Sequence, residues 1–454
     1  MSEKLTKKEL ESYIIGLWLG DGSRKGEQNY NLSLGYEKNI PIISKRLKSF
    51  FNLKVEKKDM FPQKYYKVHV NGTKEYVKKL QVALTDNKLW ELISKCPEAF
   101  LAGYIDTDGC VLYSNRHKGT LAKKNNNDKN KIQFEINSSD LQYLLLVSKC
   151  LDEMNIQNRI IMKDQSKKKN SEGKVFVANK FCFIKNEFVL KVDMTAHTYK
   201  LSKKILKYLT KNYCRQRCKK LIEIYEKINL KTKIPIIEIF KSIQGEGTLM
   251  GRPQIFVRVA GCSLRCIDCD TKYSWIVKKE QQMKLKDVIQ KIKKLDSNSV
   301  CLTGGEITLY KNQATFLVAY LTSRGYFVNI QTNGNIESKS LYNIVDKVCM
   351  DMKKDNSNYK LISCLRSGKD EVKVLVGNKR DLKFAEKISK LCYHNDIELI
   401  LQVRNDVGKN STDDLLNKYK WLIEEVSKKK FFGLKEIRLL PQLHVLVWGQ
   451  RRGI

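Results

Sequence analysis

Apolar and polar positions follow different rules on the two sides of residue 230. Upstream, two short apolar stretches with helical spacing, residues 11–19 and 99–105, each end in an acidic turn, Gly20-Asp21-Gly22 and Asp106-Thr107-Asp108-Gly109. A similar series follows each one, so the half reads as a weak repeat. After the first come a strand at 31–36, a helix at 40–51, a strand at 65–70 and a helix at 74–84. After the second come a strand at 131–137, a helix at 140–154, strands at 159–163 and 175–184, and a helix at 199–209. Residues 121–130 and 165–174 are polar, lysine-rich loops. A basic helical stretch at 214–228 leads into Leu230-Lys231-Thr232-Lys233, which marks the boundary. Downstream, strands alternate with helices, the pattern of a mostly parallel α/β barrel. Its strands are expected at 235–240, 254–259, 300–303, 327–331, 347–352, 371–376, 398–403 and 436–440.

With 454 residues, two domains are expected, 1–229 and 230–454. No apolar run reaches the ~18 residues of a membrane span, and Met1 leads into a charged segment, so the expected location is the cytosol. Thirteen cysteines there are expected to be reduced thiols or metal ligands. The net charge of +36 is shared by both halves. It suggests nucleic acid as a partner, although a sequence this rich in Lys, Asn and Ile also yields a solvated basic surface.

Cys262, Cys266 and Cys269 stand in C-x3-C-x2-C spacing directly after a strand. Three thiolates from one tight loop can hold three irons of a [4Fe–4S] cubane and leave the fourth iron open. A zinc site completed by a fourth ligand, or unrelated buried thiols, fits the spacing alone equally well. Gly304-Gly305-Glu306 closes a later strand, and its glycines allow close backbone approach to a ligand. Together these segments resemble the radical S-adenosylmethionine superfamily. In that superfamily the open iron binds the cofactor's amino and carboxylate groups, and one electron releases a 5′-deoxyadenosyl radical.

Residues 239–275, IFKSIQGEGTLMGRPQIFVRVAGCSLRCIDCDTKYSW, and 441–454, PQLHVLVWGQRRGI, resemble the two ends of the 7-carboxy-7-deazaguanine synthases. The resemblance implies a lyase that contracts 6-carboxy-5,6,7,8-tetrahydropterin to 7-carboxy-7-deazaguanine with loss of ammonia. S-adenosylmethionine would act as a regenerated cofactor and Mg2+ would assist. It also implies residue roles. Gln244, Gly245 and Glu246 would line the pterin, Arg258 would pair with its carboxylate, and Thr303 would touch it. Thr271 would bind Mg2+. Gly305, Gln331, Thr332, Asn333 and Lys353 would meet S-adenosylmethionine, with the Gln402 strand end a further candidate. Flavodoxin or ferredoxin would be the electron donor, and a homodimer would form through the C-terminal domain. Two positions depart from the family pattern: Ile307 replaces a proline, and Gln331 stands where a Glu-Thr pair is commoner.

The upstream motifs, residues 14–22 and 101–109, resemble those of the LAGLIDADG homing endonucleases, which implies an α+β two-motif domain of pseudo-twofold αββαββα repeats. Small residues Gly16, Gly20, Ala102 and Gly103 would let the two motif helices pack backbone to backbone. Asp21 and Asp108 would then hold divalent metal, usually Mg2+, against the phosphates of double-stranded DNA. Strands would read the major groove, with Lys64 and Lys180 as candidate active-site lysines or plain surface lysines. Two other arrangements are open: a degenerate unit that binds DNA without cutting it, and a DNA-targeted radical enzyme. Protein splicing is not expected, because the chain starts at Met1 and the junction lacks a His-Asn pair. Cys214 and Cys218 are expected on a helix surface.

Overall fold

The computed structural model describes residues 5–21, 30–34, 40–48, 52–60, 63–71, 89–107, 109–114, 131–138, 141–164, 186–192, 195–210, 212–267, 269–354, 358–405, 411–428 and 437–449. Contacts divide the chain into two compact units, Met1–Tyr225 and Glu226–Ile454. The division falls inside the helix Asn212–Asn229, slightly upstream of the polar stretch at 230–233. That stretch is not a free tether. Leu285 N donates to Thr232 O and Lys286 N to Leu230 O, and Lys233 already begins a strand of the second unit.

The first unit is organised by two helices, Lys7–Asp21 and Pro97–Thr107. Both are apolar around most of their circumference, which commits them to the interior. Tyr13, Ile14, Leu17, Phe100, Leu101 and Tyr104 are all buried. The helices approach so closely that side chains are excluded at the crossing. A Cβ on Gly16 would lie 2.1 Å from Phe100 O, and one on Gly103 would lie 2.1 Å from Tyr13 O. Each glycine thus makes room for the partner helix's backbone. Near the helix ends, a Cβ on Gly20 would fall 1.8 Å from Thr107 Oγ1. Buried Asp106 fixes the return of the chain: its Oδ2 accepts from Tyr13 OH, Thr210 N and Thr210 Oγ1, each at 2.7 Å.

Two antiparallel sheets complete this unit. One contains β1 (Tyr30–Leu34), β2 (Asn52–Met60) and β3 (Gln63–Asn71) in the order β1-β3-β2. The other contains β4 (Gly109–Ser114), β5 (Lys131–Ser138), β6 (Arg159–Asp164) and β7 (Asn186–Val192) in the order β4-β5-β7-β6. Strands β2, β4 and β7 were not anticipated from the sequence. The expected helix at 74–84 and strand at 175–184 lie outside the described residues. Cys214 and Cys218 correct the surface assignment, because both are fully buried. They share one helix face with Leu221 and Ile222, while Lys219 and Lys220 face solvent.

The second unit is built on a nine-stranded sheet. Its strands are β8 (Lys233–Ile243), β9 (Pro253–Val259), β10 (Gln282–Lys284), β11 (Ser299–Gly304), β12 (Phe327–Thr332), β13 (Lys347–Asp351), β14 (Glu371–Val376), β15 (Glu398–Val403) and β16 (Ile437–Leu440). Their order is β10-β8-β9-β11-β12-β13-β14-β15-β16. From β9 onward all neighbours are parallel, while β8 pairs antiparallel with both β9 and β10. This is an open partial barrel. Strands such as β11 and β15 are nearly continuous apolar runs because they are buried on both faces. Among the described residues, no helix is long and apolar enough to cross a membrane.

The helix crossing yields a prediction. Gly16→Val must push against backbone, which has no rotamer to yield, so a loss of more than about 2 kcal/mol is expected. Urea unfolding of the full chain, followed by circular dichroism, should show an earlier first transition. An unchanged curve would mean the helices can separate freely at this point.

Candidate functional site

In an open, mostly parallel sheet, side chains from several strands converge beyond the carboxyl ends of those strands. A cavity of about 440 Å3 lies there in the second unit. The ends of β9, β11, β12 and β13 supply Arg258, Thr303, Gln331, Thr332 and Asp351 to its wall. Cys262, Cys266, Cys269 and Thr271 border it from the loop after β9. Gln244, Gly245 and Glu246 come from the turn after β8, and Gly305, Asn333 and Lys353 from segments just past their strands. Every residue given a cluster-, substrate-, Mg2+- or cofactor-binding role in the synthase-like segment borders this one cavity, apart from Gln402. Gln402 is fully buried and donates from Nε2 to Pro441 O at 2.8 Å, which joins β15 to the C-terminal segment.

The Gly304-Gly305-Glu306 turn lies directly on the cysteine loop. Gly305 N donates to Val259 O and Glu306 N to Gly261 O. Gly304 has φ +128°, and a Cβ there would lie 2.3 Å from Val259 O; on Gly305 it would lie 2.0 Å from Gly261 O. The two glycines are therefore required by the close approach of protein backbone. The Glu306 carboxylate accepts from Thr308 N, Thr308 Oγ1, Thr332 Oγ1 and Asn333 N at 2.7–2.9 Å. Burial pushes its pKa up in spite of these donors. Ile307, at the family's proline position, is buried and opens the 3-10 turn Ile307–Tyr310.

The donor set fits a cubane cluster. Cys262 Sγ lies 3.5 Å from Leu264 N and 3.7 Å from Asn333 Nδ2, and Cys269 Sγ lies 3.6 Å from Thr271 Oγ1. Three thiolates of one loop, all bordering the cavity, are the donors that three irons of a cubane take.

Across the cavity, Glu246 is held on several sides. Its Oε1 accepts from Gln442 Nε2 at 2.7 Å, and its Oε2 pairs with Lys373. Burial alone would raise its pKa, but the charges of Lys373 and His444 and the hydrogen bonds from Lys373 and Gln442 outweigh this and hold it below the usual carboxylate range. Gln244 is a deeper element. It is buried, donates to Gln254 Oε1 at 3.1 Å, and accepts at Oε1 from Glu246 N and Gln331 Nε2. Arg258 donates from Nε to Glu238 Oε1 at 2.6 Å, and Tyr273 OH shares that oxygen.

Asp351, Lys373, Gln442 and His444 were not anticipated as site residues. The last two lie in the C-terminal segment, and the signal available for them was their place just after β16. In the first unit, Asp21 ends its helix, Lys64 lies on β3, and Asp108 and Lys180 fall outside the described residues.

Comparison with known proteins agrees with this geometry. The Radical SAM superfamily model matches residues 256–356. The 7-carboxy-7-deazaguanine synthase of Bacillus cereus is 33% identical over 244 residues, covering 49% of this chain and 100% of that protein. A crystal structure of QueE from Escherichia coli overlaps with a TM-score of 0.36 at 21% identity, covering 47% of this chain and 95% of that one. A structure of a variant of the homing endonuclease I-DmoI overlaps with a TM-score of 0.28 at 16% identity, covering 45% and 97%. The cysteine spacing, the cavity and the full-length match to the Bacillus cereus protein together establish that this chain belongs to the 7-carboxy-7-deazaguanine synthase family of radical S-adenosylmethionine enzymes.

Proposed function

We propose that the second unit is a carbon–nitrogen lyase that converts 6-carboxy-5,6,7,8-tetrahydropterin to 7-carboxy-7-deazaguanine, as in 7-deazaguanine and queuosine biosynthesis. The observation that supports it most is that the three cysteines, Arg258 and the Gln244-Gly245-Glu246 turn share one cavity. When bound, the cluster and S-adenosylmethionine supply the radical that takes a hydrogen from the pterin. This chain's own groups bind and orient. Glu246, kept anionic, accepts from the N–H groups on the pterin's guanidine-like edge. Arg258, its plane fixed by Glu238, forks onto the substrate carboxylate. Thr303 touches the same ligand. Gly305, Gln331, Thr332, Asn333 and Lys353 border the S-adenosylmethionine side. Thr271 would offer its hydroxyl oxygen to Mg2+, a hard ion that takes oxygen ligands and would assist the rearrangement. A one-electron donor such as flavodoxin or ferredoxin would supply the electron that this chemistry needs.

For the first unit the reading is a two-motif LAGLIDADG endonuclease acting on double-stranded DNA, with the functional boundary at residues 229–230. The reciprocal Gly16 and Gly103 contact supports it, as does the meeting of Gly20 with Thr107, the residues just before Asp21 and Asp108. Carboxylates brought side by side in this way would repel each other unless a divalent cation lay between them. The basic excess suits a polyanion.

Two experiments test these readings. Cys262→Ala, Cys266→Ala and Cys269→Ala should each abolish cluster assembly, read by iron content and absorbance of the anaerobic protein, and all product formation. Product from a variant lacking all three thiols would defeat the radical assignment. Asp21→Asn and Asp108→Asn should each abolish double-strand cleavage at a mapped target while specific binding persists, because binding rests on phosphate and base contacts. Binding lost together with cleavage would make these carboxylates structural.

A further inference from the structure

Lys373, on β14, is among the most deeply buried charges in the second unit, and the mechanism above gives it no part. Its side chain is 2% exposed and does not itself border the cavity. Two carboxylates that do border the cavity close over it. Its Nζ pairs with Glu246 Oε2, and it lies 3.0 Å from Asp351 Oδ2. Asp351 Oδ2 is also 2.8 Å from Lys353 Nζ. Lys373 is thus the inner cation of a row that runs from the Gln244-Gly245-Glu246 turn to the end of β13. An ammonium this deep is retained only where anions more than offset its lost hydration. Burial alone would lower its pKa, but Asp351 and Glu246 hold it well above the ordinary lysine value. Lysine suits the place, because a compact ammonium on a flexible stem can serve two carboxylates that arrive from different strands.

We propose that Lys373 is the positioning residue of the pterin site: it fixes Glu246 as an anion facing the substrate and, through Asp351 and Lys353, ties that carboxylate to the cofactor side of the cavity. This rests on the reading of Glu246 as the pterin-facing carboxylate. The other groups facing the pair are His444 and Gln442 from the C-terminal segment and Cys349 from β13. Glu371 with Lys347 lies next to the adjoining Thr248. Among the described residues, only Lys373 is ion-paired with both Glu246 and Asp351.

The test uses the full anaerobic chain with its cluster reconstituted. Lys373→Met should keep cluster content and the slow reductive cleavage of S-adenosylmethionine without pterin, while pterin KM rises about tenfold to a hundredfold, the size of one charge-assisted contact. Its pH profile should also change. Without the cation, burial raises the Glu246 carboxyl, so pterin affinity should fall on the acid side at a higher pH than in the parent. On a Glu246→Gln background the added Lys373→Met change should cost less than about threefold, because the carboxylate it serves is gone. If the single Lys373→Met variant does not fold, this charge-balanced double variant carries the comparison. Equal losses on both backgrounds, or loss of the cluster, would overturn the positioning role. If Glu246→Gln alone leaves pterin binding unchanged, the Glu246 reading fails, whatever Lys373 does.

Discussion

The cavity of the second unit depends on how closely the turn after β11 lies against the loop after β9. Two glycines allow backbone to rest on backbone at Val259 and Gly261. Glu306 then locks the arrangement by gathering donors from its own turn and from the end of β12. The cysteine loop has little regular structure of its own. Its geometry is inherited from this clamp, which is why a short segment with no thiol in it matters to the thiols. A side chain at Gly304 or Gly305 would push the turn off the loop that carries Cys262.

How much of this was legible in the sequence follows from local versus distant causes. Strands β14 and β15 were legible to the residue, because each is a short run dominated by Val, Leu and Ile between polar segments. The cysteines and the Gln244-Gly245-Glu246 turn were legible because each is a compact motif. Strand β2, NLKVEKKDM, was missed because its charges break the alternation that marks a half-buried strand. Cys214 and Cys218 were misplaced because Arg215, Gln216 and Arg217 between them, and Lys219 and Lys220 after them, disguised an apolar helix face. Lys373 was invisible for another reason. Its meaning lies in Glu246, 127 residues away, and nothing local in EVKVLV says that its lysine points inward between carboxylates.

The two units solve opposite packing problems. In the first, two helices lose side chains at their crossing so that their ends can meet, and the chemistry proposed there needs carboxylates at one point. In the second, strands hold side chains apart around an open cavity, and polar groups are fixed by partners behind the wall. Gln244, Arg258 and Glu246 each have such a partner, in Gln254, Glu238 and Lys373 respectively. Side chains held in this way can orient a substrate at little entropic cost when it binds.

The most direct measurement of the central claim is turnover by the full chain itself. The reduced, cluster-loaded protein should be mixed with S-adenosylmethionine, Mg2+ and 6-carboxy-5,6,7,8-tetrahydropterin, and both ligands followed by mass spectrometry. The account predicts many equivalents of 7-carboxy-7-deazaguanine for each S-adenosylmethionine consumed. Cleavage of S-adenosylmethionine with the pterin left intact would contradict it.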